Sequence, residues 1–175
     1  MPSLKLSFMG LVVIAVGCSP APRPASQATN SNLQWREFTA DEDGYRVKMP
    51  GQPKRQERDG YVIRQVILTD PQAAYTVHHG SAPAAFAGIS AELKLRSYEQ
   101  RTIKKEFPTG KLVEVKDITL GEHPGKEFVL VVDGYDLIRR VYFVNSDMYM
   151  VTVSGSNLTP TSPHVVPFFD SFTLK

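Results

Sequence analysis

The sequence predicts an α+β fold, an antiparallel β-sheet of about six to eight strands covered by helices in a layered sandwich. Three observations carry this. From Leu33 onward, apolar and polar residues alternate with period two, interrupted at short intervals by turn dipeptides. Only one long segment, Ala91 to Glu106, keeps a helical stripe. Finally, some strands are apolar on both faces, with Val62, Val66 and Leu68 on one side and Tyr61, Ile63 and Ile67 on the other. A sheet of that kind needs cover on both faces.

The elements follow in order. Trp35 to Thr39 and Tyr45 to Met49 flank Asp41-Glu42-Asp43-Gly44, a hairpin loop, and Pro50-Gly51 closes the second strand. Lys54 to Arg58 mixes both charge signs without alternation and reads as a solvated loop. Tyr61 to Thr69 and Ala74 to Ser81 form a pair around Asp70-Pro71. Ser90 can cap the helix Ala91 to Glu106, with Glu92 in its first turn and Lys104-Lys105 in its last, each where the helix dipole favours that sign. Ala91, Leu95, Tyr98 and Thr102 make its stripe, and Phe107-Pro108 ends it.

Val113 to Leu120 reads as a strand, followed by a turn at Gly121 to Gly125. Lys126 to Val132, Tyr135 to Val144 and Met148 to Ser154 then form a meander through Asp133-Gly134 and Asn145-Ser146-Asp147. Asp-Gly is the strongest hairpin signal present, because it tolerates the positive φ of a type I′ turn. A short second helix falls within His164 to Phe172. It is expected to start at or after His164, which puts Pro167 in the first turn, where no ladder bond is lost.

The chain has 175 residues, 42% apolar and 22% charged, an ordinary globular composition with room for one real core. Twenty Lys and Arg against eighteen Asp and Glu give a formal charge of +2, so there is no basic footprint for nucleic acid. One cysteine, Cys18, makes no internal disulfide, and no zinc-ligand spacing occurs.

Residues 1–17 have the layout of an export signal: Lys5 as a short basic region, Phe8 to Val16 as an apolar region, and the small residue Gly17. The apolar run is about half the roughly 20 residues that span a bilayer. Ala15-Val16-Gly17-Cys18 resembles a bacterial lipobox, in which cleavage precedes a lipid-modified cysteine. Ala15 departs from the usual leucine there. The plainer alternative is a secretory signal cut elsewhere, with Cys18 incidental. Residues 18–32 then read as a lipidated terminus and tether, rich in Pro, Ser and Ala and without periodicity, and residues 33–175 as a single sandwich domain. Ser19 after the cysteine implies, by resemblance to lipoproteins of enteric bacteria, the outer membrane facing the periplasm.

Three further stretches carry a resemblance. Tyr45-Arg46-Val47-Lys48-Met49-Pro50-Gly51-Gln52-Pro53 is similar to the F-x-V-x-M-P-G-x-P opening of small exported proteins common in planctomycete-type bacteria. Gly121 to Glu127 resembles their G-x-x-G-x-E turn, and Phe168 to Leu174 their F-F-x-S-F-x-L closing helix. Proteins with that layout resemble the PsbP/Mog-type α/β/α sandwich, a central antiparallel sheet with helices on its faces. The resemblance implies a scaffold that binds or assists, without a shared active site.

Few residues suggest chemistry. His78 and His79 are neighbours on a strand and must point to opposite faces, so they cannot share a metal. His123 and His164 lack ligand-spaced partners, and no metal or cofactor is expected. Asp41-Glu42-Asp43-Gly44 fails the calcium-loop signature, since Arg46 and Gln52 stand where Gly and Glu are required; it reads as a solvated turn. No G-x-S-x-G occurs. Arg139 and Arg140, mid-strand, should face opposite sides, and either could line a groove for an anionic ligand; the plainer reading packs the stem and leaves the head in solvent.

The expected function is a membrane-anchored envelope lipoprotein, lipidated at Cys18, with a non-enzymatic binding or accessory domain. Its partners would be the membrane and another envelope protein. The alternative is a ligand-binding lipoprotein with a pocket between sheet and helix, engaging Arg139 or Arg140. A third reading, an envelope hydrolase, has no local motif behind it.

Overall fold

A computed structural model describes residues 33–175; Cys18, the leader and the tether lie outside the described residues. Among the described residues, ten strands form two antiparallel sheets. The larger has seven strands in the order β3-β4-β5-β9-β8-β7-β6: β3 Lys54–Arg58, β4 Tyr61–Thr69, β5 Gln72–Ser81, β6 Lys111–Leu120, β7 His123–Val132, β8 Tyr135–Val144 and β9 Asp147–Gly155. The smaller has β1 Arg36–Ala40, β2 Tyr45–Met49 and β10 Thr173–Leu174, in the order β1-β2-β10.

Both faces of the large sheet are covered, as its two-sided apolar strands require. Along β9, Tyr149, Val151 and Val153 join one cluster while Met148 and Met150 join the other. The first cluster packs against the small sheet and a one-turn helix, α3 Val166–Asp170, through Tyr45, Val47, Met49, Phe168, Phe169 and Phe172. The second packs against a broken helix: α1 Ala91–Ser97, a π-turn Tyr98–Thr102 and α2 Ile103–Glu106. The fold is thus a sheet-with-helices sandwich in which the hairpin face carries more strand than helix.

Local chemistry explains the helices. Ser90 Oγ accepts from the Leu93 backbone N–H at 3.4 Å, and Leu95, Tyr98 and Ile103 bury the inner stripe. Pro167 sits in the first turn of α3, where its missing N–H removes no ladder bond.

Three elements differ from the sequence reading. The closing stretch Phe168 to Leu174 is helical only to Asp170, and Thr173-Leu174 leaves the helix to pair with Arg46 and Tyr45 of β2. Lys54–Arg58 is an edge strand, not a loop: all five residues are exposed, so no alternation marks it, and charge of this kind is what blunts an edge. The expected turn at Gly121 to Gly125 shrinks to Gly121-Glu122, and β7 begins at His123. Pro124 lies opposite Thr119 of β6, next to the end of that ladder, and β7 pairs with β8 only from Gly125 onward.

Candidate functional site

On the helix face, a cleft of about 420 Å³ opens between the end of α2 and the strands β4, β5 and β8. Its walls include Tyr61, His78, Glu106, Phe107 and Arg139, and Arg58 and Asp59 reach it from the β3–β4 turn. The strand register sets this out. Thr76, Thr152 and Arg139 lie side by side across β5, β9 and β8, and the next row holds Ile63, His78, Met150 and Val141.

Arg139 is buried, with 7% of its surface exposed. Its Nε donates to Thr152 Oγ1 at 3.1 Å, and its Nη1 donates to Tyr98 Oη at 2.8 Å and to the Glu106 carboxylate. The Phe107 ring lies 5.0 Å from the guanidinium carbon. A buried cation is tolerable only when paired in this way. Burial pushes the Tyr98 hydroxyl up to about 12 despite the opposing Arg139 charge, so it stays protonated. Burial first, then the charges of Arg139 and Arg58, bring His78 down to about 4, so its imidazole is neutral at pH 7.

Arg140 points to the other face. Its Nε donates to Glu127 Oε2 at 2.7 Å, its guanidinium carbon lies 4.5 Å from the Phe169 ring, and Asp170 is 3.9 Å away. The two adjacent arginines therefore serve different layers. Neither head is free in solvent: Arg139 lines the cleft with its charge matched by Glu106, and Arg140 clamps α3.

His79, also on the hairpin face, meets a second polar cluster. Its Nδ1 is 3.4 Å from Asp43 Oδ1, and its ring stacks on Tyr149 at 4.6 Å. Arg64 Nη2 donates to Asp43 Oδ2 at 3.3 Å, and Tyr149 Oη donates to the Asp43 carbonyl at 3.1 Å. Asp43, at 4% exposure, is thus not part of a solvated turn. Asp41 and Glu42 do face solvent, but Asp43 turns inward and latches the β1–β2 hairpin to the large sheet. His78 and His79 stand on opposite faces, and His123 and His164 lie elsewhere. Among the described residues no group of three His, Cys, Asp or Glu side chains is arranged to hold a metal.

The sequence reading missed Glu106 and Tyr98 as the partners of Arg139. A signal existed: the two lie eight positions apart on one helix, about two turns along one face. What sequence could not supply was the strand over which that face lies. Chemically, the cleft presents a neutral imidazole, a neutralised arginine and two aromatic rings.

The fold of residues 33–175 is PsbP-like. The solution structure of cyanobacterial PsbP (CyanoP) from Synechocystis sp. PCC 6803 matches with a TM-score of 0.58 at 11% identity, over 82% of this chain and 94% of that one. A protein of unknown function, PA94 from Pseudomonas aeruginosa, matches at a TM-score of 0.44 and 14% identity, over 76% of this chain and 86% of that one. No family model matches the sequence, and no curated protein matches it.

Proposed function

We propose that this chain is an envelope lipoprotein whose PsbP-like domain binds or supports another envelope component without catalysing a reaction. The observation that carries the reading is the junction at Ala15-Val16-Gly17-Cys18, where an apolar run too short to span a bilayer meets a Pro- and Ser-rich segment. Acylation of Cys18 explains a lone thiol at that point. Each buried methylene contributes about 0.8 kcal/mol and stable anchoring takes two chains, so a diacylated cysteine holds the protein at the membrane. Residues 19–32 stand the domain off the surface. The three short motifs support placing it among the small exported proteins of planctomycete-type bacteria, and Ser19 after the cysteine supports the outer membrane facing the periplasm.

Support for a binding role comes from how the titratable groups are used. Arg139, Arg140, His79 and Asp43 are each engaged in internal ion pairs or hydrogen bonds. Mass spectrometry of the mature protein is the test. Cleavage between Gly17 and Cys18 with an acylated cysteine is the expected result, and Cys18→Ser should release the protein from membranes; unchanged membrane association of that variant would overturn the reading.

A second reading rests on the cleft beside Arg139, which lies between sheet and helix as a ligand pocket would. Backbone amide shifts at Phe107 and Arg139 on titration with a small-molecule library would support it. Their absence, together with a protein crosslinked to the domain in the native envelope, would favour the first.

A further inference from the structure

The seven-stranded sheet ends in two edge strands, β3 and β6, and the two differ. β3 has five residues, all exposed, and its Arg55 and Glu57 already pair with each other. If β3 met a second copy of itself about Gln56, Lys54 would face Arg58 twice. β6 has ten residues and exposes Leu112 and Val113 at 39% and 56%. A bulge between Leu112 and Glu114 interrupts its ladder with β7, leaving the regular stretch Glu114 to Leu120.

Two antiparallel strands joined edge to edge by a two-fold axis keep the faces of the combined sheet aligned. Residues directly opposite must then point to the same face, which confines the axis to passing through a residue. An axis through Glu114, Lys116 or Asp117 sets two identical charges against each other, which is destabilising. An axis through Val115 sets Val115 against Val115 and places Glu114 of each copy opposite Lys116 of the other. Glu114 and Lys116 are both exposed, and among the described residues neither has an ion-pair partner. Asp117, by contrast, is already engaged by Lys126 Nζ at 2.8 Å. An axis through Ile118 avoids a clash but brings no opposite charges together.

We infer that β6 is a self-recognition edge at which two copies of this chain join antiparallel about Val115, extending the sheet from seven strands to fourteen. The charges of Glu114, Lys116 and Asp117, which guard the edge against other registers, favour this one. A contact confined to one ten-residue edge strand belongs to the weak, reversible class of association. The inference stands on the geometry of β6 and does not depend on the lipid anchor.

The register gives a direct test. In the full chain carrying Cys18→Ser, Val115→Cys supplies the only thiol, and its Cα should lie about 4.5–5.5 Å from its counterpart, within disulfide range. Copper-phenanthroline and oxygen remove two protons and two electrons from the paired thiols, and a covalent dimer should appear on a non-reducing gel. Thr119→Cys, whose counterpart lies about eight residues away along the pair (about 27 Å), should stay monomeric. Failure of Val115→Cys to crosslink, or equal crosslinking of Thr119→Cys, would overturn the inference. Sedimentation of the same Cys18→Ser chain without an engineered thiol provides a second readout at concentrations up to about 1 mM. Glu114→Lys and Lys116→Glu should each weaken the dimer by about tenfold, and the double exchange should restore it. A dimer indifferent to these exchanges, or none at all, would also overturn it.

Discussion

Glu127 on β7 and Arg140 on β8 stand directly opposite each other, and Arg140 Nε donates to Glu127 Oε2 at 2.7 Å. The two are buried unequally. The Glu127 side chain is 7% exposed and that of Arg140 21%. An ion pair of this kind fails asymmetrically, because the cost lies mainly in the partner left behind without solvent.

The first prediction follows from that asymmetry. Arg140→Met should destabilise the fold by about 3 kcal/mol, since it strands a buried carboxylate and removes the cover over Phe169. Glu127→Gln should cost only about 1 kcal/mol, because the amide oxygen still accepts from Arg140 and the guanidinium reaches water. Urea unfolding of both variants measures the difference; equal losses would contradict it.

This pair also shows what the sequence makes legible. Each of the three short motifs proves to be structural. In the first, Tyr45, Val47 and Met49 fill the core with at most 1% exposure. In the second, Gly121 takes a φ of +60° at the turn, Gly125 lies beneath Tyr142, and Glu127 holds Arg140. In the third, Phe168, Phe169 and Phe172 are buried, and Ser171 Oγ accepts from the Lys48 backbone at 2.8 Å. Alternation and turn chemistry revealed β2, β4 and β8 to the residue. They missed β3, whose residues are exposed on both faces and so carry no period. The inward turn of Asp43 was also hidden, because its partners Arg64 and His79 lie 21 and 36 residues away.

Arg139 yields a second prediction. Arg139→Ala should destabilise by about 2–4 kcal/mol, leaving the Tyr98 and Thr152 hydroxyls without their donor. Glu106 adds less, because its side chain is 35% exposed and can turn to solvent. Arg139→Lys should recover under half of the loss. An ammonium on a flexible stem cannot occupy the Nε and Nη1 positions together as the planar fork does. Denaturant midpoints for the two variants provide the check, and full rescue by lysine would contradict the account.

Gly125 yields a third. A Cβ there would lie 2.6 Å from Tyr142 Cε1 and 2.9 Å from the Val141 carbonyl oxygen, so the intruding carbon meets backbone as well as a ring. Tyr142 cannot easily move, since it is 3% exposed and stacks on Phe172 at 6.1 Å. Gly125→Ala should therefore cost about 1–3 kcal/mol, the range for overpacking, and not the small gain that alanine brings in an open strand. Gly134→Ala is the control. It has nothing within 4 Å, and its φ of +84° makes the expected loss purely conformational. A loosened Tyr142 ring, seen as faster ring flipping by NMR, should distinguish Gly125→Ala from the control.

The last prediction concerns pH. His78 titrates near 4 in the folded protein because burial, then the positive charges of Arg139 and Arg58, disfavour its imidazolium; its ordinary value is 6.5. Between those values the unfolded chain binds the proton more readily than the folded one. Stability contributed at this position is therefore complete above about pH 6.5 and is lost as pH falls towards 4. Carboxylates titrate over the lower part of the same window, so the wild-type slope alone does not isolate the histidine. His78→Gln keeps a neutral polar side chain and removes the titration. The wild-type protein should lose stability relative to His78→Gln as the buffer is taken from pH 7 to pH 5, a range above most carboxylate titration. Urea midpoints at the two pH values give this difference directly. Parallel behaviour of the two proteins would mean that His78 protonates as freely in the cleft as in water, and the buried, positively biased environment described for it would be wrong.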